Sequence, residues 1–308
     1  MSVCKILVVG SINMDLCLKT QRVPVAGENL LCDEYHYIHG GKGANQAVAA
    51  ARLGAQATFV GCVGDDAAGS ELVAALDELG IRTSYMRIEK NARSGLAVVI
   101  LEKGGQNRIL VYPQSNMKLA PRDIDDAFAE PYDAMIIQFE ISREVVVHAC
   151  KTAAMKGVPV IVDAGPARDF PIEEISGAEI LSPNETETFA MTGIRVDDLH
   201  SAKSASRILM ERSNARYIVI KAGAQGAYLY GGSEIKHFAA HKITAIDTTA
   251  AGDAFTAAMT LEYLKTGSIE TAIKFAHGAG ALAATKLGAR PSMPTLREVE
   301  VFIKSRET

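Results

Sequence analysis

The chain has 308 residues, 48% of them hydrophobic and 22% charged, which fits a globular protein with a sizeable core and excludes a disordered one. A net charge of −4 with no basic tail excludes a general electrostatic claim on nucleic acid or an anionic membrane. No apolar run reaches membrane length, and five scattered cysteines without a CxxC pair speak for a reducing, cytoplasmic setting rather than a disulfide framework or zinc site.

In chain order, short apolar runs alternate with helical patterns. Residues 5–9 read as a compact first strand. Residues 44–53, Ala-rich and closed by Gly54, read as a helix with a glycine stop. A strand over 58–61 and an amphipathic helix over 65–79 follow. Later strands are predicted over 134–138, 158–162, 180–181 and 217–221, and helices over 143–155, 202–212 and 252–264. The alternation predicts one α/β domain with a mostly parallel sheet covered by helices. Two segments, 15–39 and 94–113, break the rhythm. The second reads as two β runs around a turn at 103–107, and the two excursions could pair into a small sheet over one edge, as a lid or as an ordinary surface hairpin.

Five motifs carry candidate chemistry. After the first strand comes Gly10-Ser11-Ile12-Asn13-Met14-Asp15. In extended chain Asn13 and Asp15 point to one side and suit a polyol, although a capped turn would use the same residues. Gly40-Gly41-Lys42-Gly43-Ala44-Asn45-Gln46 opens a helix with glycines that admit close approach to the backbone. It is not a Walker P-loop, because Gly43 follows the lysine, and it could be only a glycine-rich helix start. Asn184 and Glu187 share a face at a helix start, placed to order water around a phosphate-bound Mg²⁺ or simply to favour the helix dipole. Lys221 to Gly226, with Gly223 between, is a turn that could lie against a nucleotide. Asp247-Thr248-Thr249-Ala250-Ala251-Gly252-Asp253 leads into a helix whose first N–H groups could form an anion nest, with Asp253 either a reactive acid or a cap. The GxGxxA match at 278–283 lies in a helical stretch with no preceding strand and is discounted for dinucleotide binding.

Together, in this order, the motifs at 10–15, 41–50, 184–187 and 247–253 resemble the ribokinase family of sugar kinases over the whole chain. The resemblance implies a ribokinase-like α/β fold with a β lid, formed here by about 15–39 and 94–113, through which members often clasp into a homodimer. It implies a sugar site of Asn13, Asp15, Gly41, Lys42, Asn45 and Glu140. Glu140 also follows the 134–138 strand. It implies an ATP site of Asn184, Lys221, Gly223, Gly226, Gly252 and His277, with Mg²⁺ held through water by Glu187. An activating monovalent cation, K⁺, would sit at Asp247, Thr249, Ala283, Lys286, Gly288 and Ser292, several acting through carbonyls. Asp253 would be the base, beside an anion hole of Ala250, Ala251 and Gly252.

The implied reaction moves the γ-phosphoryl of ATP to the 5-hydroxyl of D-ribose. Related activities on deoxyribose, a ketose, a sugar acid or a nucleoside are the alternative. Positioning and electrostatics dominate such a transfer. The chain departs from the family pattern at 112–116 and at 163–168, where Asp163-Ala164-Gly165-Pro166 replaces the usual Asn-Pro-Ala-Pro. A sugar-sensing protein without catalysis would not need Asp253, and a nicotinamide dehydrogenase would need a glycine fingerprint that Gly10-Ser11-Ile12-Asn13 lacks.

Overall fold

The computed structural model describes residues 3–103, 107–168, 170–175 and 177–307. Most of the turn expected at 103–107 therefore lies outside the described residues. The elements run β1 (Lys5–Val9), β2 (Asn13–Thr20), β3 (Glu34–Gly40), α1 (Lys42–Arg52), β4 (Gln56–Val60), β5 (Cys62–Gly64), α2 (Ala67–Asp77), β6 (Arg87–Glu89), β7 (Gly95–Glu102) and β8 (Asn107–Tyr112). Then come α3 (Pro121–Ala127), β9 (Ala134–Gln138), α4 (Arg143–Met155), β10 (Val160–Asp163), β11 (Ile180–Ser182), α5 (Glu185–Thr192), α6 (Leu199–Ser213) and β12 (Tyr217–Lys221). The chain ends with β13 (Ala227–Tyr230), β14 (Ile235–Phe238), α7 (Ala251–Thr266), α8 (Ile269–Ala284), α9 (Ala289–Ser292) and α10 (Leu296–Glu307).

An eight-stranded sheet forms the centre, in the order β14-β13-β12-β11-β10-β9-β1-β4. Its strands are parallel except at the β12–β13 and β13–β14 pairings. Because side chains alternate along a strand, each central strand feeds two cores. Leu7, Val9, Met135, Ile137, Val160 and Val162 face one core, closed by residues of α3, α4 and α6 such as Ile124, Val145 and Leu209. Ile6, Val8, Ala134, Ile136 and Ile161 face the other, closed by α1, α2, α7 and α8. This is why those strands read as unbroken apolar runs rather than as alternating ones.

The two segments that break the rhythm meet in a separate four-stranded sheet, ordered β3-β2-β7-β8. Within it β2 pairs parallel with β7 and antiparallel with β3. The segment 10–15 is therefore not a capped turn. It leaves β1 and becomes a strand at Asn13, so Asn13 and Asp15 share one face of β2.

The parallel strands all end at one edge, where Gln138, Asp163, Ser182 and Lys221 close β9, β10, β11 and β12. That carboxyl edge is where open α/β sheets place ligands. The small sheet starts from the same edge, and β3 leads through Gly40 and Gly41 into α1.

Candidate active site

The glycines around α1 also let the chain pack closely against itself. Gly41 holds φ of 89°, and a Cβ there would lie 2.6 Å from the Ile12 Cα. A Cβ on Gly43 would lie 2.8 Å from the Gly10 Cα. Both positions let the start of α1 press against the chain leaving β1. That contact brings Lys42, Asn45 and Gln46 to the carboxyl edge.

Asp253 lies in the first turn of α7, only 4% exposed. Its Oδ2 accepts a hydrogen bond from Asn45 Nδ2 and its Oδ1 one from Gln46 Nε2, both at 3.0 Å. It is not the helix N-cap. That place is taken by Ala250, which adopts a left-handed conformation with φ of 61° and no side-chain cap bond. In the turn that precedes α7, the Ala251 N–H donates to the Thr248 carbonyl at 3.2 Å, so one of the N–H groups expected in the nest is already engaged. Gly252 opens outward: a Cβ there would meet only Lys221 Nζ, at 4.0 Å.

Charge is concentrated around this acid. Burial, reinforced by the neighbouring Asp163, pushes the Asp253 carboxyl up to about 6, against Lys42 and the two amide donors. Burial opposes the charge on Lys42, but Asp163, Asp253, Glu187 and Glu140 together hold its ammonium well above the ordinary lysine range. Asp163 is fully buried, and its ion pair with Lys221 at 3.1 Å, with Lys42 adding, keeps its carboxyl below the usual range despite that burial.

On the small-sheet side, burial and the nearby Glu140 and Asp253 push Asp15 up to about 7, with Arg290 opposing. Arg290 is itself 5% exposed and donates to the Gly40 carbonyl at 3.2 Å. Glu140 accepts from the Ser11 hydroxyl and, at 3.5 Å, from the Lys42 N–H. Asn13 Oδ1 accepts from Asn116 Nδ2 at 2.7 Å. Among the described residues, Asp15 Oδ1, Asn45 Oδ1 and Arg290 Nε and Nη1 are buried without a protein partner. Such groups are costly unless a ligand or water completes them.

Next to Asp253 opens a cleft of about 670 Å³, whose lining includes Lys42, Asn184, Glu187, Lys221, Gly223, Gly226, Gly252 and His277. The residues expected at the nucleotide thus share one cavity. His277 packs edge-on against Phe255, and burial drives its imidazole down to about 4, so it is neutral at physiological pH. Asn184 and Glu187 do form the helix cap: Asn184 Oδ1 accepts from the Glu187 N–H at 2.8 Å, and Glu187 Oε2 accepts from the Asn184 N–H at 2.7 Å. Three of the residues expected at the cation are joined by hydrogen bonds. Asp247 accepts from the Thr249 and Gly288 N–H groups, each at 2.9 Å, joining the turn before α7 to the loop before α9. The Lys286 ammonium is engaged with Glu298, so only the backbone of Lys286 could serve an ion, while the Ser292 hydroxyl donates to the Ala289 carbonyl and keeps its lone pairs.

Sequence reasoning missed several participants. Gln46 was quoted in its motif without a role, yet it bridges two acids. Asp163 was noted only as a departure, and Asn116, in the other departure, holds both the Ile12 backbone and Asn13. A usable signal was present: Gln138, Asp163, Ser182 and Lys221 each end an apolar parallel strand in a polar residue, at the edge where ligands bind.

Comparison with known proteins finds likeness in sequence and in fold. Residues 4–296 match the model of the pfkB family of carbohydrate kinases. The chain is 36% identical to the ribokinase of Bacillus subtilis over 301 residues, covering 97% of this chain and 99% of that one. It is 31% identical to the deoxyribokinase of Salmonella typhi, covering 98% and 99%. The structure of Arabidopsis thaliana ribokinase complexed with ribose and ATP superposes with a TM-score of 0.88 at 32% identity, covering 99% of both chains.

Proposed function

This chain belongs to the pfkB family of carbohydrate kinases, and from that membership we propose that it transfers the γ-phosphoryl of ATP to the 5-hydroxyl of D-ribose. The observation that carries the mechanism is Asn45. It belongs to the proposed sugar set, with Asn13, Asp15, Gly41, Lys42 and Glu140, and it also holds the proposed base Asp253 at 3.0 Å. Sugar and base are thereby tied together, next to the cleft proposed for ATP, where Asn184, Lys221, Gly223, Gly226, Gly252 and His277 would receive the nucleotide.

In this reading Asp253, ionised, accepts the hydroxyl proton as the sugar oxygen attacks the phosphorus, and the bond to the leaving ADP oxygen breaks. The N–H groups of the 250–253 turn other than that of Ala251, with Lys42 and Lys221, stabilise charge on the transferring group. Burial of Asp253 keeps bulk water from competing for the phosphoryl.

A divalent cation supplies charge neutralisation to the phosphates when bound. Among the described residues no group of three or more His, Cys, Asp or Glu side chains could hold a metal ion. Glu187, 3% exposed with one oxygen committed to its cap, fits a role through water rather than as part of an all-protein cage. A monovalent cation would be held by Asp247, Thr249, Ala283, Lys286, Gly288 and Ser292, several of them through backbone carbonyls, a set of hard oxygens fitting K⁺. It would stiffen the turn that presents the N–H groups.

The small sheet exposes Tyr35, Tyr37, Leu110 and Tyr112, an apolar surface suited to pairing two copies through the lid. No described helix is long and apolar enough to cross a membrane. The five free cysteines fit the cytoplasm as the working compartment.

The test is ADP release with ribose, 2-deoxyribose, ketoses, sugar acids and nucleosides at matched concentrations. Ribose should give the highest kcat/KM, because a site built to hydrogen-bond a hydroxyl penalises the analogue lacking it. A clear preference for any other member of the panel overturns the ribose assignment.

A further inference from the structure

We propose that Asp163 is a positioning residue for phosphoryl transfer: it aims the Asp253 carboxylate through the Gln46 amide and holds the Lys221 ammonium beside the first turn of α7. The inference rests on the reading of Asp253 as the base. It concerns a residue at which the chain departs from the family pattern.

Both oxygens of Asp163 are engaged. Oδ2 accepts from Gln46 Nε2 at 2.8 Å and from Thr256 Oγ1 at 3.3 Å. Oδ1 faces Lys221 Nζ at 3.1 Å and accepts from the Gly165 N–H at 3.3 Å. The same Gln46 nitrogen donates to Asp253 Oδ1 at 3.0 Å, while Gln46 Oε1 accepts from Gln138 Nε2 at 2.5 Å. Turning that amide over would set its oxygen against two carboxylates, so the amide has one workable orientation. Asp253 is then fixed from both sides, by Gln46 on one oxygen and Asn45 on the other.

The second connection runs to the nucleotide cleft. Lys221 lines that cleft, and its Nζ lies 4.0 Å from where a Cβ on Gly252 would be. The ion pair with Asp163 holds its ammonium at that place. The backbone around Gly165 is closed against the same cluster: a Cβ would lie 2.5 Å from Lys42 Cε and 2.7 Å from Glu187 Oε1. The charged groups facing the two acids are Lys42 from α1, Lys221 from β12, Glu187 from α5 and Asp15 from β2, with Glu140 facing Lys42 and Asp15. Among these, Asp163 is the fully buried negative charge that shares a hydrogen-bond donor with Asp253.

Asp163→Asn tests the assignment. Asparagine offers one oxygen and one NH₂ in place of two oxygens, so it can accept from Gln46 or face Lys221, not both. The variant, the unaltered enzyme and Asp253→Asn are compared by kcat, by KM for ribose and ATP, by the pH profile of kcat and by thermal melting. The expected result is a fall in kcat of about tenfold or more, with KM for ribose nearly unchanged. The acid limb of kcat should move to lower pH by about one unit, because removing a nearby negative charge makes Asp253 easier to ionise. Should Asp163→Asn fail to fold, Gln46→Met removes the bridging amide at similar volume and is expected to show the same kcat loss at unchanged KM. A folded Asp163→Asn whose acid limb does not move overturns the inference, whatever its kcat, as does a folded Gln46→Met with undiminished kcat. Turnover retained by Asp253→Asn overturns the base reading and this inference with it. Loss there combined with an unmoved Asp163→Asn profile overturns this inference alone.

Discussion

Asp253 carries two readings that one substitution separates. As a helix cap it would tolerate asparagine, which caps as well as aspartate, but Ala250 already occupies the cap position. As a base it would not, since an amide cannot take the hydroxyl proton. Asp253→Asn should lower kcat roughly 10²- to 10⁴-fold, or about 3 to 5 kcal/mol of barrier, with KM little changed because the proton moves only near the transition state. Steady-state kinetics with a thermal melt would show it. The pH profile follows from the same acids. Asp253 works ionised and is pushed up to about 6, so kcat should fall as pH drops through that region. Asp15 is pushed up to about 7, and it accepts from sugar hydroxyls through both oxygens only when ionised. In the free enzyme, kcat/KM for ribose should therefore begin to fall at higher pH than kcat does. Coincident limbs would separate Asp15 from sugar binding.

At the scale of elements, the start of α1 decides whether the site forms. Gly41→Ala would place a side chain at φ of 89° and within 2.6 Å of the Ile12 Cα. The left-handed backbone alone costs roughly 1–3 kcal/mol, and the contact adds to it. Urea denaturation should show at least that loss, with KM for ribose raised as Lys42 and Asn45 shift. This also shows what was legible in the sequence. Strands buried on both faces announce themselves as apolar runs, so Lys5–Val9, Ala134–Gln138 and Tyr217–Lys221 were found to the residue. The antiparallel pair Ala227–Tyr230 and Ile235–Phe238 was not, because each strand has four residues and the second is half exposed, too short for a period to register. The motif glycines were visible, but their reason was not: what crowds them is the chain itself, brought from thirty residues away. The bridging of Asp163 and Asp253 by Gln46 was equally hidden, since hydrogen bonds across 117 and 207 positions leave no local pattern.

On the scale of the whole molecule, a parallel sheet gathers polar strand ends at one edge, a second sheet rises from that edge, and the α7 turn closes the site from beside it. Asp247 links that turn to the loop before α9, so an ion bound there would act by fixing the N–H groups rather than by touching the sugar. Initial rates at one ionic strength should accordingly be higher in potassium than in sodium or tetramethylammonium. Equal rates would remove the cation from the account and leave the kinase assignment standing. The central claim, that all these parts serve transfer from ATP to the ribose 5-hydroxyl, is tested most directly by NMR of the product. With ribose and ATP, ³¹P and ¹³C spectra should show a phosphate ester at C5 appearing in step with ADP. ADP formed without a sugar ester, or an ester at any other carbon, would contradict it.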